Sequence, residues 1–561
     1  MSAPERPAEP SRVWLTRLVE RRIGLLFTAF LLAVLIAGAR ATWLGTVRAD
    51  ELRERASAQQ VSELEVAASR GTVTDRHGVE LAVSEDAVTV FANPFLIKRP
   101  DAVARRLAPA LGRPASSIVR PLSDRGKGFV YLGRKLDPAV DKAIEKLKIE
   151  GLGTVVESRR RYPRGQLAGQ LLGTVGTDNY GLAGLEQSHE RTLHGRNGRR
   201  RVVKDALGKP ISIVEQRRAV PGRDLRLTID AAIQERAEAV LGEVGRRLRP
   251  KGATALVLDP RNGELLTVAN WPGVDPGRAG EAPGWARQNR AVAASYEPGS
   301  TFKAFTVAGA IEEGAVNPDE SFDLPPMIRV ADREIREPHA RAATTLSVPE
   351  IIAQSSNVGS VKIGLELGPR RFDRWVRRFG FGSGTGVDLP GEAAGIVPRP
   401  SEYSGSSMGN LPIGQGLAVT PMQMAAAYSA LASDGAVRRP HVVAGAAPRG
   451  REVMSVDTAG RVARMLEGVF GPGGTAQEAR VPGYRLAGKT GTAQKPDAFG
   501  GYSKTKYVSS FIGFAPARNP RLLVAVAVDE PKGKIYGGEV AAPAFEKIVS
   551  FALPYLRIPP D

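Results

Sequence analysis

A serine and a lysine three residues apart open a strongly apolar stretch: Ser300 and Lys303 in EPGSTFKAFTVAGAIEEG, residues 297–314. Pro298-Gly299 predicts a turn, and apolar residues almost all round predict a buried helix from Ser300 to about Ile311. Residues three apart share a helix face, so the Lys303 nitrogen would reach the Ser300 hydroxyl. Serine becomes a nucleophile once a base takes its proton, and lysine can serve when burial or a nearby cation lowers its pKa. The helix N-terminus adds positive potential at the serine. The chemistry this pair could do is acyl transfer. Two further polar clusters could complete it: Ser355 and Asn357 in AQSSNVGS (353–360), and Lys489, Thr490, Gly491 and Thr492 in LAGKTGTAQK (486–495). On an edge strand, Gly491 would let a substrate backbone approach closely. Lys489 would supply positive charge, and the two threonines hydroxyls for a carboxylate.

Three rival patterns need weighing. Gly483, Gly488, Lys489 and Thr490 fit a phosphate loop, and LLVAVAVDE (522–530) follows like a magnesium-binding strand. A phosphate loop needs a helix beginning at Lys-Thr, and Gly491 with Pro496 argues against one. Gly405-Ser406-Ser407-Met408-Gly409 fits a nucleophile elbow, but no apolar strand precedes it, so a loop is expected there. Ser503 to Lys506 repeats Ser-x-x-Lys in a loop with no helix behind it. The five histidines, at 77, 189, 194, 339 and 441, form no recognisable triad pattern.

The elements that must position these residues can be read around them. Ala253–Asp259 and Glu264–Asn270 read as strands joined at Asn262-Gly263, a strong hairpin signal. Tyr484–Ala493, Lys506–Ala515 and Arg521–Asp529 read as three more. Their high apolar content and poor alternation predict a sheet covered on both faces. Residues 271–481 read as mostly helical with Gly and Pro breaks. The reading is an α+β domain whose antiparallel sheet combines strands from the start and the end of residues 221–561. Upstream, RGTVTDRHGVELAVS (70–84) predicts a hairpin turning at Arg76-His77-Gly78, residues 45–69 a polar helical neck, and GRNGRRRVVKDALGKP (195–210) a solvated loop. Val220-Pro221-Gly222 reads as a hinge, and residues 1–12, rich in Pro, Ser and Glu, as disordered.

The chain has 561 residues, 78 Lys plus Arg against 59 Asp plus Glu, and no cysteine. Its length calls for two or more domains, and the absence of cysteine excludes disulfide and thiol chemistry. The net charge of +19 fits nucleic acid, an anionic membrane, a polyanionic wall polymer, or plain solubility. Ile23–Ala39 carries no charge, and its extension to Leu44 gives about 33 Å of helix, enough to cross a bilayer. Ala39-Arg40-Ala41 resembles a signal-cleavage site, but the run is long for a signal core, so a retained anchor is expected. Residues 45–561 would then lie outside the cytoplasm, away from ATP and nucleic acid.

Ser-x-x-Lys, Ser-x-Asn and Lys-Thr-Gly, in this order, are the motif set of penicillin-binding proteins and serine β-lactamases. With RGTVTDRHGVELA (70–82), GLAGLEQ (181–187), LTIDAAIQ (227–234), ALVLDPRNGELLTVAN (255–270), GQGLAVTPMQMAAAYSALASDG (414–435), KTGTAQK (489–495) and SFIGFAPA (510–517), the chain resembles the class B penicillin-binding proteins, most of all the division-type, FtsI-like septal enzymes. The resemblance implies a cytoplasmic tail (1–22), a single membrane anchor (23–44), an elongated neck and pedestal, or dimerisation, domain (45–220) and a transpeptidase domain (221–561). That last domain would hold a five-stranded antiparallel sheet with helices on both faces. It implies peptidoglycan D,D-transpeptidation at the outer side of the cytoplasmic membrane. Ser300 would attack the bond between the terminal D-alanines of a stem peptide, with Lys303 as base and Ser355 and Lys489 relaying protons. Asn357 would hold the substrate amide and Thr490, Gly491 and Thr492 its carboxylate end. The amides of Ser300 and Thr492 would form the oxyanion hole. β-Lactams would acylate Ser300, and no cofactor or metal is called for. The implied partners are stem peptides, the membrane, a polytopic membrane glycosyltransferase and other division proteins, with no nucleic acid. An elongation-type transpeptidase is the runner-up. A β-lactamase or β-lactam sensor ranks lower, since no Glu-x-x-x-Asn lies between Asn357 and Lys489.

Overall fold

A computed structural model describes residues 12–51, 61–204, 210–445, 447–497 and 500–561. Residues 1–11, where disorder is expected, and 52–60, the middle of the expected helical neck, lie outside the described residues. The chain forms two compact units: residues 1–67 with 197–219, and residues 68–196 with 220–561.

The first unit contains the helix Arg12–Thr46. From Glu20 to Thr46 it is long and apolar enough to cross a membrane, and none of that face is buried. A three-stranded antiparallel sheet follows, with Gly198–Lys204 between Val61–Val66 and Pro210–Arg217. This corrects two expectations. Residues 61–66 are a strand rather than the end of a helical neck, and 198–204 are its central partner rather than a solvated loop. The reason is non-local: each strand finds its hydrogen-bond partners more than a hundred residues away or across the 205–209 segment, where no local pattern announces them.

In the second unit, the hairpin at Arg76-His77-Gly78 forms as read, with Asp75 Oδ1 accepting from the amides of His77 and Val79 at 2.7 and 2.8 Å. Its long arm, Glu80–Ala92, pairs with Val130–Leu136 on one side and Leu152–Arg161 on the other. The helices Pro100–Leu111, Ala115–Ser123 and Ala139–Leu147 contribute Leu107, Ile118 and Ile144 to the small core around Val88 and Val90.

The larger sheet is antiparallel and five-stranded, in the order Leu265–Trp271, Gly252–Leu258, Leu522–Asp529, Tyr502–Ala515, Ala487–Pro496. It joins the strands read on either side of the helical region, as the sequence predicts. Alternate residues of one strand serve opposite faces, as the two-residue period requires. Leu523 and Ala525 pack with the helices Lys303–Glu312 and Pro421–Leu431. Leu522, Val524, Val526 and Val528 pack with Ala231–Leu248 and Ala542–Tyr555. Burial on both faces explains why these strands read as apolar runs. The regular structure between 271 and 481 is mainly helical but includes small antiparallel pairs, among them Ser321–Leu324 with Thr344–Ser347 and Met327–Val330 with Arg333–Arg336. Each strand of these two pairs has four residues, too few for a periodicity to be read. Residues 407–410, expected as loop, form a single helical turn.

Candidate active site

Ser300 lies in the 3₁₀ turn Gly299–Phe302, which runs directly into the α-helix Lys303–Glu312. Gly299 has φ +53°, a left-handed conformation that favours glycine, and a Cβ there would lie 3.3 Å from both Ala493 Cβ and the Thr492 carbonyl oxygen. The turn thus rests against the edge strand Ala487–Pro496. Its amide donates to the Gly414 carbonyl at 3.0 Å, and the Tyr428 hydroxyl donates to the Thr301 carbonyl at 2.6 Å. Behind it, Phe302 and Phe305 pack against Phe372, Phe379, Phe381 and Tyr428 with ring centroids 4.7–6.3 Å apart. Every residue from Lys303 to Ala310 is buried, so the helix has no freedom to slide.

Lys303 is fully buried. Its Nζ donates to the Ser355 carbonyl and to Asn357 Oδ1, both at 2.7 Å, and lies 3.3 Å from Ser355 Oγ. Burial pulls its pKa from 10.5 down to about 7, against the opposing pull of the Glu337 carboxylate. Near neutrality a large share of Lys303 is therefore a neutral amine, able to accept a proton. Ser300 is half-buried, and among the described residues its hydroxyl has no hydrogen-bond partner. The lysine is engaged with Ser355 and Asn357 rather than with the hydroxyl expected one turn away.

Ser355 follows the C-cap Gln354 of the helix Val348–Ala353, and Asn357 begins the helix Asn357–Leu367. Ser355 has φ +58°, an uncommon conformation for a non-glycine residue that turns its carbonyl toward Lys303. Asn357 uses both ends of its amide: Oδ1 accepts from Lys303 and Nδ2 donates to the Arg336 carbonyl at 2.8 Å. Glu337 accepts from the Asn357 amide at 2.8 Å and from Ser356 Oγ at 2.7 Å.

Lys489 to Thr492 lie in the edge strand, which among the described residues pairs with the strand Tyr502–Ala515 alone. Lys489 is fully buried, and burial first, then the Lys303 charge, hold its pKa well below that of a free lysine. The Thr490 hydroxyl lies 2.7 Å from that of Thr475. Thr492 Oγ1 accepts from the Gly537 amide at 3.0 Å, which leaves its own proton free to donate. A Cβ on Gly491 would fall 2.3 Å from Ser510 Oγ and 3.0 Å from the Pro298 carbonyl oxygen, so only glycine fits between this strand and the Ser300 turn. Lys489-Thr490 begins no helix, which removes the phosphate loop.

The structure therefore brings Ser300, Lys303, Ser355, Asn357 and Lys489 to Thr492 together on three elements. The rival patterns stand apart: Ser503 Oγ caps its own turn by accepting from the Lys506 amide at 3.1 Å, and Ser407 Oγ accepts from the Ser404 amide at 2.8 Å. Sequence reasoning missed Glu337, Arg341, Thr475 and Gly537. Glu337 sits in IREPHAR, where no spacing marks it, and only the fold carries it to the Ser355–Asn357 turn.

Comparisons with known proteins show the family to which the chain belongs. The family model of the penicillin binding protein transpeptidase domain matches residues 253–550, and that of the penicillin-binding protein dimerisation domain matches residues 65–227. The chain is 35% identical to the probable peptidoglycan D,D-transpeptidase PenA of Neisseria meningitidis, over 95% of this chain and 93% of that protein. It is 32% identical to the peptidoglycan D,D-transpeptidase FtsI of Escherichia coli, over 96% and 92%. Among solved structures, penicillin binding protein 3 of Mycobacterium tuberculosis in complex with ampicillin superposes with a TM-score of 0.70 at 29% identity, covering 89% of this chain and 97% of that one.

Proposed function

The chain belongs to the penicillin-binding protein transpeptidase family, as a serine-type peptidoglycan D,D-transpeptidase, and from that premise we propose which of its residues carry each step. Ser300 Oγ attacks the carbonyl carbon between the two terminal D-alanines of a stem peptide, and its proton passes to the neutral amine of Lys303. The oxyanion that forms is held by the amides of Ser300 and Thr492. The C–N bond then breaks and D-Ala leaves as the amine, its proton returned from Lys303 through the Ser355 hydroxyl or from Lys489. The acyl group remains on Ser300 until an amine of a neighbouring strand attacks it, with the same groups working in reverse. Asn357 Oδ1 spends one lone pair on Lys303 and has a second for a substrate N–H. Thr490 and Thr492 donate to the terminal carboxylate, and Gly491 leaves room for the peptide along the strand edge. A β-lactam follows the same acylation, opening its ring instead of releasing D-Ala.

The observation that carries this reading is the buried Lys303 Nζ, hydrogen-bonded at 2.7 Å to the Ser355–Asn357 turn with its pKa drawn to about 7. We infer further that residues 1–22 are a cytoplasmic tail and 23–44 the membrane anchor. Residues 45–220 would form the neck and pedestal and 221–561 the transpeptidase domain, outside the cytoplasmic membrane. Likeness to FtsI along almost the whole chain supports a role in septal wall synthesis, and we propose a polytopic membrane glycosyltransferase as partner. The test is labelling with a fluorescent penicillin, wild type against Ser300→Ala, with the adduct located by mass spectrometry. A stable adduct on Ser300 that the variant loses is the expected result. Rapid release of the label would make the chain a β-lactamase, and no label on folded wild type would remove Ser300 as nucleophile.

A further inference from the structure

We propose that Glu337 is a positioning residue of this active site: its buried carboxylate clamps the Ser355–Asn357 turn and supplies the negative charge that faces Lys303. The inference rests on Lys303 acting as the base, as proposed above.

The geometry is specific. The Glu337 side chain is 4% exposed, and a carboxylate is buried this deeply only when it is paired. Its Oε1 accepts from Ser356 Oγ at 2.7 Å and pairs with Arg341 Nη2 at 2.6 Å, and its Oε2 accepts from the Asn357 amide at 2.8 Å. A longer contact of 3.4 Å joins Oε1 to the Val358 amide. Arg341 Nη2 also donates to Ser356 Oγ at 3.2 Å, and Ser356 Oγ accepts from the Gly359 amide at 2.9 Å. One carboxylate therefore holds the residues on either side of the Ser356–Asn357 peptide. The residue before it, Arg336, holds the Asn357 side-chain amide through its carbonyl. This matters because Ser355 has φ +58°, a conformation that persists only where its surroundings over-determine it. Ser355 O and Asn357 Oδ1 are the two short acceptors of the Lys303 amine, so whatever fixes their places fixes the amine.

The charges around Lys303 sharpen the role. Burial disfavours its protonation and Glu337 opposes burial, while Lys303 in turn lowers the pKa of Lys489 on the edge strand. Arg341, on the segment that carries Glu337, partly neutralises that acid. Among the described residues, Glu337 is the acid acting on Lys303. A plain helix cap would steady the turn and leave the titration of Lys303 untouched, which separates the two possibilities.

The test is the second-order rate of acylation by a fluorescent penicillin on the full chain, across the neutral pH range, with thermal melts on each variant. In wild type the rate should climb with a midpoint near 7, as Lys303 loses its proton. Glu337→Gln removes the charge that favours the protonated amine, so the midpoint moves to lower pH and the plateau falls about tenfold or more. Glu337→Asp keeps the charge, so its midpoint stays close to that of wild type while its shorter reach lowers the plateau. Arg341→Gln leaves the acid without its cation and moves the midpoint to higher pH. Opposite shifts in Glu337→Gln and Arg341→Gln establish the proposal. Unmoved midpoints in both overturn it, even if the plateau falls, because Glu337 is then a cap alone. If Glu337→Gln gives no melting transition, the direction of the Arg341→Gln shift decides. A wild type that labels on Ser300 with no midpoint near neutrality removes Lys303 as the base and this inference with it, while the nucleophile stands.

Discussion

Two lysines with no exposure to solvent lie in one site, and the cost of a buried charge governs what each can be. A buried ammonium without a matching carboxylate is expensive, so the cheaper response is to give up the proton. Lys303 does so near pH 7, and Lys489 is driven the same way by burial and by Lys303 itself. The sign is fixed by the chemistry: the base is the neutral amine, whose share grows as pH rises through 7. Acylation should therefore lose about tenfold for each pH unit below the midpoint, by the ordinary titration of one group. Lys303→Arg keeps the positive charge and removes the ability to shed it. A guanidinium does not deprotonate in proteins, so this variant should acylate roughly 10²–10⁴-fold more slowly than wild type at every pH, and a pH series on the folded variant checks it.

The elements matter through their closest approaches. The Ser300 turn and the edge strand meet at Gly299 and Gly491, two positions without a side chain. Gly491→Ala would place a methyl 2.3 Å from Ser510 Oγ and 3.0 Å from the Pro298 carbonyl oxygen. Ser510 can rotate away, but the backbone carbonyl cannot, so strand and turn must separate. The cost should be about 1–3 kcal/mol of stability, as for other overpacked contacts, read from a denaturant melt. A larger loss, at least about tenfold, should appear in penicillin acylation, because the oxyanion amides of Ser300 and Thr492 lie on the two parts being pushed apart. Unchanged acylation in Gly491→Ala would show that the hole does not span this junction.

Across the whole chain, the helix Glu20–Thr46 exposes Leu25, Leu26, Phe27, Phe30 and Leu35, each more than 60% accessible. Its 27 residues span roughly 40 Å, enough for the hydrocarbon of a bilayer. Deleting residues 1–46 should move the penicillin-labelled protein from the membrane pellet to the soluble fraction while Ser300 still labels. Retention in the pellet would mean that a second surface holds it to the membrane. The active-site residues all lie within residues 300–537, inside the second compact unit, which is why labelling should survive the deletion.

The sequence by itself determined the chemistry and most of the central sheet. Ser300, Lys303, Ser355, Asn357 and Lys489 to Thr492 were legible because each sits in a short local pattern, and the strands 252–258, 265–271 and 522–529 because burial on both faces leaves an apolar run. What only the tertiary structure decided depends on groups far apart in the chain. The protonation of Lys303 follows from complete burial, which spacing does not encode. Its hydrogen bonds run to residues 52 and 54 positions away rather than to the serine one turn off. Glu337 gained its place through a short antiparallel pair that no periodicity announced. The strand 198–204 formed because Val61–Val66 and Pro210–Arg217 supply its backbone partners. Local patterns report what a residue can do. Burial, charge balance and long-range pairing are properties of the assembled fold, and they set the state in which it does it.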